Sequence, residues 1–438
     1  MYRRALEDLI GWKNSRARKP MIIRGARQVG KTWLMREFGR TQYKQYAYIN
    51  FDNNERMEHL FSGNLDISRI VTALQIESGV SIDADNTLVI FDEVQEVPNA
   101  LTSLKYFCEN APQYHVIAAG SLLGVALHPG ASFPVGKVDF MDLYPLDFLE
   151  FMRALGEERL VDLLENMDWE MITGFKGKYI DLLKQYYYIG GMPEAVKTFA
   201  ETLDYRMVRQ VQQRLLMAYE QDFSKHAPHE TVPRIRMLWD SIPSQLAKEN
   251  RKFIYGLIRQ GARAREYELA MAWLSDCGLV HKVSRISKPG MPLRAYQDFN
   301  SFKLFVVDVG LLSAMSGLDV KSLLEGNRIF EEFKGALTEQ YVLQQLTAIK
   351  EIEPFYWSAE TGSAELDFVI QSGMHVVPLE VKAEENLQAK SLKSYYNKYR
   401  PKYTVRSSMS NFRQEEWMVN FPLYAINQLP KWLEQRET

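Results

Sequence analysis

Cysteine is nearly missing: Cys108 and Cys277 are the only two in 438 residues. They form neither a disulfide framework nor a Cys-x-x-Cys metal pair, and a reducing, cytoplasmic compartment fits best. Long apolar runs are also missing. The longest candidate, residues 304–312, is interrupted by Asp308 and falls short of the ~18 residues of a membrane span, so no membrane partner is expected. The first residues, MYRRALEDLIGWKNSRARK, are charged and lack the apolar core of a signal peptide. Net charge is close to zero, with 53 Lys+Arg against 55 Asp+Glu, so affinity for nucleic acid must come from local patches. Fixed-period repeats and low-complexity tracts are absent. The seven histidines make no HExxH, and no GxSxG is present, which leaves zinc and serine hydrolase chemistry without support.

What remains is ordinary globular composition, 46% hydrophobic and 25% charged, with length for about three domains. The first third reads α/β. MIIRG (21–25), YAYINFD (46–52), TLVIFDEV (87–94) and HVIAAGS (115–121) are apolar runs of strand length separated by helical stretches. That alternation predicts a parallel sheet with helices on both faces. Residues 140–225 turn helical, and a Gly/Pro-containing stretch, SKPGMPL, follows further on. The expected partition is 1–225, 226–318 and 319–438.

Gly25-Ala26-Arg27-Gln28-Val29-Gly30-Lys31-Thr32 matches GxxxxGK[ST] between the strand MIIR and the helix TWLMREFG, and these residues with Trp33 are the candidate nucleotide-binding set. Such a loop curls backbone N–H groups around phosphates at a helix N-terminus. Lys31 then supplies charge to the β- and γ-phosphates, and Thr32 a hydroxyl to Mg²⁺. Downstream, the apolar run Leu88–Phe91 ends in Asp92 and Glu93. Asp92 is the candidate Mg²⁺ ligand, and Glu93 the residue that polarises the attacking water. Ser121, at the end of a further strand, is a candidate γ-phosphate sensor. ATP and Mg²⁺ are the expected cofactors.

GARQVGKT, LVIFDEVQ, AAGSLLG and LYPLDFLEF, in this order, resemble the AAA-superfamily ATPases of bacteria and archaea that carry a C-terminal domain of unknown function. GGMPE (190–194) and KLFVVDVGLL (303–312) are similar to later signatures of that family. The resemblance covers about 20–385. It implies a P-loop NTPase sheet with a helical lid, and a homo-oligomer in which a neighbour completes each site. Where the family often has Gly-Arg, this chain has Gly136-Lys137, and lysine lacks the bidentate fork of an arginine finger. Arg24, Arg27 and Arg153 are other candidates.

Residues 252–300 read as helix, turn, helix and hairpin, the pattern of a winged helix. Leu269, Trp273 and Leu274 recur at helical spacing, and Arg259, Arg263 and Arg265 lie near the start of the second helix, where a recognition helix reads DNA. Residues 231–300 hold twelve Lys/Arg against six Asp/Glu. Contact with other subunits or domains is the alternative use.

Asp367, then Glu380-Val-Lys382 after a hairpin-length gap, matches the D…ExK spacing of the PD-(D/E)xK nuclease core. Period-2 alternation puts Glu380 and Lys382 on one face. Asp367 and Glu380 are then candidate ligands of a shared Mg²⁺, with Lys382 orienting the hydrolytic water. Glu339, on the preceding helix, is the expected additional acid. Residues 387–413 interleave seven Lys/Arg with Tyr395, Tyr396, Tyr399 and Tyr403. This reads either as phosphate contact plus base stacking or as a solvated helix whose tyrosines pack inward. Three functions compete: an ATP-driven DNA-associated machine, a nucleotide-dependent switch with an inert nuclease-like domain, and an ATPase that remodels a protein partner.

Overall fold

The computed structural model describes residues 1–120, 133–248, 252–325, 331–350, 352–360, 363–385 and 389–436. Ser121 lies outside them. The described chain forms two compact units, one spanning Tyr2–Tyr144 with Asp276–Gly278, the other Pro145–Ser275 and Leu279 onward.

The first unit holds a five-stranded sheet in the order β2-β3-β4-β1-β5. β1 is Met21–Arg24, β2 Gln45–Asn50, β3 Thr87–Asp92, β4 His115–Ala119 and β5 Asp139–Asp142. Every pairing is parallel. β3 and β4 are buried along their whole length, as strands covered on both faces must be. The first four strands fall on the four apolar runs of the sequence. β5 is an edge strand of alternating burial, DFMD, too short and polar to stand out.

The second unit is mixed α/β. Its sheet has eight strands in the order β12-β13-β11-β10-β9-β8-β6-β7. Their ranges are β6 Val280–Ile286, β7 Gln297–Val306, β8 Phe355–Ser358, β9 Glu365–Ser372, β10 His375–Val381, β11 Val405–Ser408, β12 Arg413–Gln414 and β13 Val419–Pro422. The β6–β7 hairpin joins the rest through two parallel pairs, Arg285 with Tyr356 and Ile286 with Trp357. One sheet therefore runs across position 318, where the sequence placed a boundary. The expected lid, too, clusters with the C-terminal sheet. Its aromatic residues explain why. Phe148 and Tyr186 pack on Tyr341 of the helix Glu331–Thr347, and Gln345 of that helix accepts from the Phe148 N–H.

Two signatures far apart in sequence meet here. Asp308 is fully buried and caps the helix Val309–Met315 through the Leu311 N–H. Its other oxygen accepts from Gly191 N at 2.6 Å and Gln344 Nε2 at 2.9 Å. A Cβ on Gly190, whose φ is +74°, would strike the Asp308 carboxylate. GGMPE and VVDVG thus form one packing joint.

Two local expectations fail. KFIYGLIRQ forms only a 3₁₀ turn, Tyr255–Leu257, because the segment before it is held extended. Phe253 N donates to Phe302 O on β7, and Gln245 clasps both the N–H and C=O of Ile254. On the helix Ala264–Asp276, Trp273 and Leu274 are buried as expected, but Leu269 is 73% exposed. Tyr267, Ala270 and Met271 line the inner face instead.

Candidate functional site

β1 ends at Arg24, and the phosphate loop turns immediately beyond it. Gly25 (φ +146°) and Gly30 (φ +96°) occupy backbone conformations that disfavour other residues, and a Cβ on Gly25 would strike the Leu143 carbonyl. Gly30 caps the helix Lys31–Gln42, so the loop's N–H groups gather at a helix N-terminus. Lys31 is 6% exposed, and its ammonium donates to the Gly25 and Ala26 carbonyls at 2.8 and 2.9 Å. Burial lowers its pKa to about 8, against the pull of Glu93 and Asp92. Both acids reach it electrostatically although β4 separates β3 from β1.

Asp92 gathers three donors. Thr32 Oγ1 (2.7 Å) and Tyr48 OH (2.8 Å) donate to one oxygen, and the Glu93 N–H (3.2 Å) donates to the other. A hydroxyl and a carboxylate that meet beside the loop are the oxygen donors Mg²⁺ prefers, so these residues fit that ion. Glu93 has φ +51°, uncommon for a residue with a side chain, and its carboxylate accepts from Gln95 Nε2 at 2.7 Å. Trp33 is exposed. Among the arginine-finger candidates, Arg24 forms a fork on Asp142, Arg153 pairs with Glu165, and Lys137 pairs with Glu109.

The second cluster lies on β9 and β10. Their antiparallel register pairs Phe368 with Leu379, which sets Asp367 opposite Glu380 on the same face. Asp367 Oδ2 accepts from the Val381 N–H at 2.7 Å, and Lys382 Nζ sits 2.8 Å from Glu380 Oε1. Glu380 Oε2 is buried without a hydrogen-bond partner. Burial raises the Glu380 carboxyl above the ordinary range, the Asp367 charge adds to this, and Lys382 opposes it.

Glu339 meets a residue that the sequence reading missed. Lys303, on β7, is fully buried over the Tyr356 ring, with its ammonium 2.7 Å from Glu365 and 3.6 Å from Glu339. It is close enough to pair with both, though aligned for a hydrogen bond with neither. A charged residue inside the apolar run SFKLFVV was the signal. Among the described residues no group of three or more His, Cys, Asp or Glu is arranged to hold a metal. Mg²⁺ is often bound by one or two carboxylates with water and substrate phosphates, so Asp367 and Glu380 suffice in number. The adjacent Lys382 ammonium competes for the same charge.

Comparison with known families places an AAA domain at residues 17–152. Two domains of unknown function follow, DUF8612 at 180–322 and DUF4143 at 334–426. No curated protein matches the chain. Among solved structures, the Walker-type ATPase PABY2304 of Pyrococcus abyssi aligns with a TM-score of 0.44 at 14% identity, covering 72% of this chain and 95% of that one. The Aeropyrum pernix ORC1 protein in complex with DNA aligns at 0.27 and 13%, covering 72% and 91%. CDC6p of Pyrobaculum aerophilum aligns at 0.26 and 13%, covering 74% and 93%.

Proposed function

We propose that this chain, built on an AAA domain, is an Mg²⁺-dependent ATPase that acts with DNA through a winged-helix and PD-(D/E)xK-like C-terminal module. The observation that carries the reading is the convergence of Lys31, Thr32, Asp92 and Glu93 at one end of the parallel sheet. ATP phosphates displace the Lys31 ammonium from its two carbonyls and take its charge, while the loop N–H groups hold the phosphate oxygens. Mg²⁺ held by Thr32 and Asp92 would neutralise charge on the β- and γ-phosphates. Glu93, positioned by its own strained backbone and by Gln95, orients the attacking water. Ser121 is proposed as the γ-phosphate sensor. A homo-oligomer supplies the cation that completes each site; the ion pairs of Arg24 and Lys137 are exposed, and such pairs exchange readily.

The test is ATP turnover by the full chain with and without single-stranded, duplex and branched DNA. Turnover that depends on Mg²⁺ and rises with one of these DNAs supports the reading. Hydrolysis unaffected by Lys31→Ala defeats its first half, and indifference to all three DNAs defeats its second. Light scattering with ATP present tests the oligomer, and a monomer that hydrolyses normally would refute it.

A second reading is favoured by the lysines at the carboxylate cluster. Lys303 pairs with Glu365 and lies within reach of Glu339, and Lys382 engages Glu380. Such a site suits a binding module without cleavage, driven by a nucleotide switch or used to remodel a protein. DNA cleavage that requires Mg²⁺ and is lost in Asp367→Ala would decide against it.

A further inference from the structure

The tyrosines of the basic helix Lys390–Tyr399 divide between two faces. Tyr395 and Tyr399 turn inward, with rings 5.0 and 5.9 Å from Trp357. Tyr396 turns the other way, onto the half-buried Trp417 at 5.5 Å. Together with Tyr403 these two rings line a cleft of about 170 Å³ between the end of the helix, residues 401–404 and the β12–β13 hairpin. Exposed cations cap the rings. Lys393 Nζ lies 4.1 Å from the Trp417 centroid and 5.1 Å from that of Tyr396, and the Arg400 guanidinium lies 5.0 Å from Tyr396. Thr404 also lines the cleft. It is 3% exposed, its carbonyl accepts from Val419 N, and its hydroxyl has no partner.

From this geometry we infer that the cleft is a binding site for single-stranded nucleic acid, with a base stacked on the Trp417 ring where Lys393 now sits. The inference rests on the nucleic-acid half of the reading above and locates it. Every base has a flat π-face that can take the place of a cation over a ring, and the displaced Lys393 is then free, with Arg400, to meet the flanking phosphates. Duplex bases are already stacked and paired, and present no such face. Glu415 is engaged by Arg413 at 2.9 Å, while Glu416 is exposed at the rim. The strand therefore enters from the side of the basic helix, away from Glu416.

The full chain is titrated by fluorescence anisotropy against labelled oligothymidine, oligouridine and a blunt duplex, at low and high salt. Wild type binds the single strands, and Trp417→Ala weakens that binding about tenfold, the size expected for one stacked base. Lys393→Gln and Arg400→Gln, both at exposed positions, weaken it less and flatten its salt dependence. They keep the test decisive if Trp417→Ala misfolds. Binding of either oligomer supports the proposal, and the ratio tells DNA from RNA. Unchanged single-strand binding in the variants overturns the cleft but leaves nucleic-acid association standing. No binding of any strand form by wild type overturns both.

Discussion

The phosphate loop and the C-terminal carboxylate cluster are both charged sites at the ends of strands, yet they are assembled in opposite ways. The loop is nearly all backbone and spans eight consecutive residues, with Asp92 and Glu93 added from the end of β3, one strand removed in the sheet. The carboxylates fall in two groups, Glu339 and Glu365 around Lys303 of β7, and Asp367 and Glu380 of β9 and β10 beside Lys382, with side chains drawn from residues spread over 303–382. In the loop a single buried lysine faces backbone carbonyls. In the cluster two lysines already face carboxylates. The difference teaches that a local site advertises its ligand, whereas a dispersed one is defined by the counter-ions that tertiary packing delivers.

The largest effect should come from the loop. Lys31→Ala removes the ammonium held by the Gly25 and Ala26 carbonyls, and ATP hydrolysis should fall by about three orders of magnitude or more in a phosphate-release assay. Glu93→Gln sharpens the contrast by separating binding from chemistry. Nucleotide affinity should persist while turnover drops about a hundredfold, and wild-type turnover would remove Glu93 from its role.

On the cluster's side the expected effect is on stability. Lys303→Met removes the cation that Glu339 and Glu365 share and should destabilise the second unit by about 3–5 kcal/mol in urea unfolding. Adding Glu365→Gln should recover part of that loss. An unchanged midpoint in the single variant would show that the pair does not hold the sheet together.

The smallest effect is a pH dependence. Free Lys31 titrates near 8, below the ordinary lysine value, because burial disfavours its charge. Bound phosphate favours the ammonium and raises that pKa, so binding takes up a proton above pH 8. Affinity should be flat below that pH and fall about tenfold per unit above it. Calorimetry in buffers of different ionisation heat should report the uptake, and equal heats at pH 9 would break the assignment.

Four strands of the first unit, the phosphate loop and the β9–β10 hairpin were legible because each depends on neighbours in sequence. Burial on both faces selects apolar runs, a phosphate loop needs glycines at set spacing, and alternation aims Glu380 and Lys382 together. What depended on distant segments was not legible. Tertiary packing alone held residues 252–254 extended through Gln245 and Phe302, turned Leu269 to solvent, and drew the helical segment after 144 onto the C-terminal sheet. It also brought Lys303 to Glu339 and seated Gly190 on Asp308. The physical reason is common to all of these. Periodicity reports which face of an element is buried, while the identity of the group that buries it comes from another part of the chain.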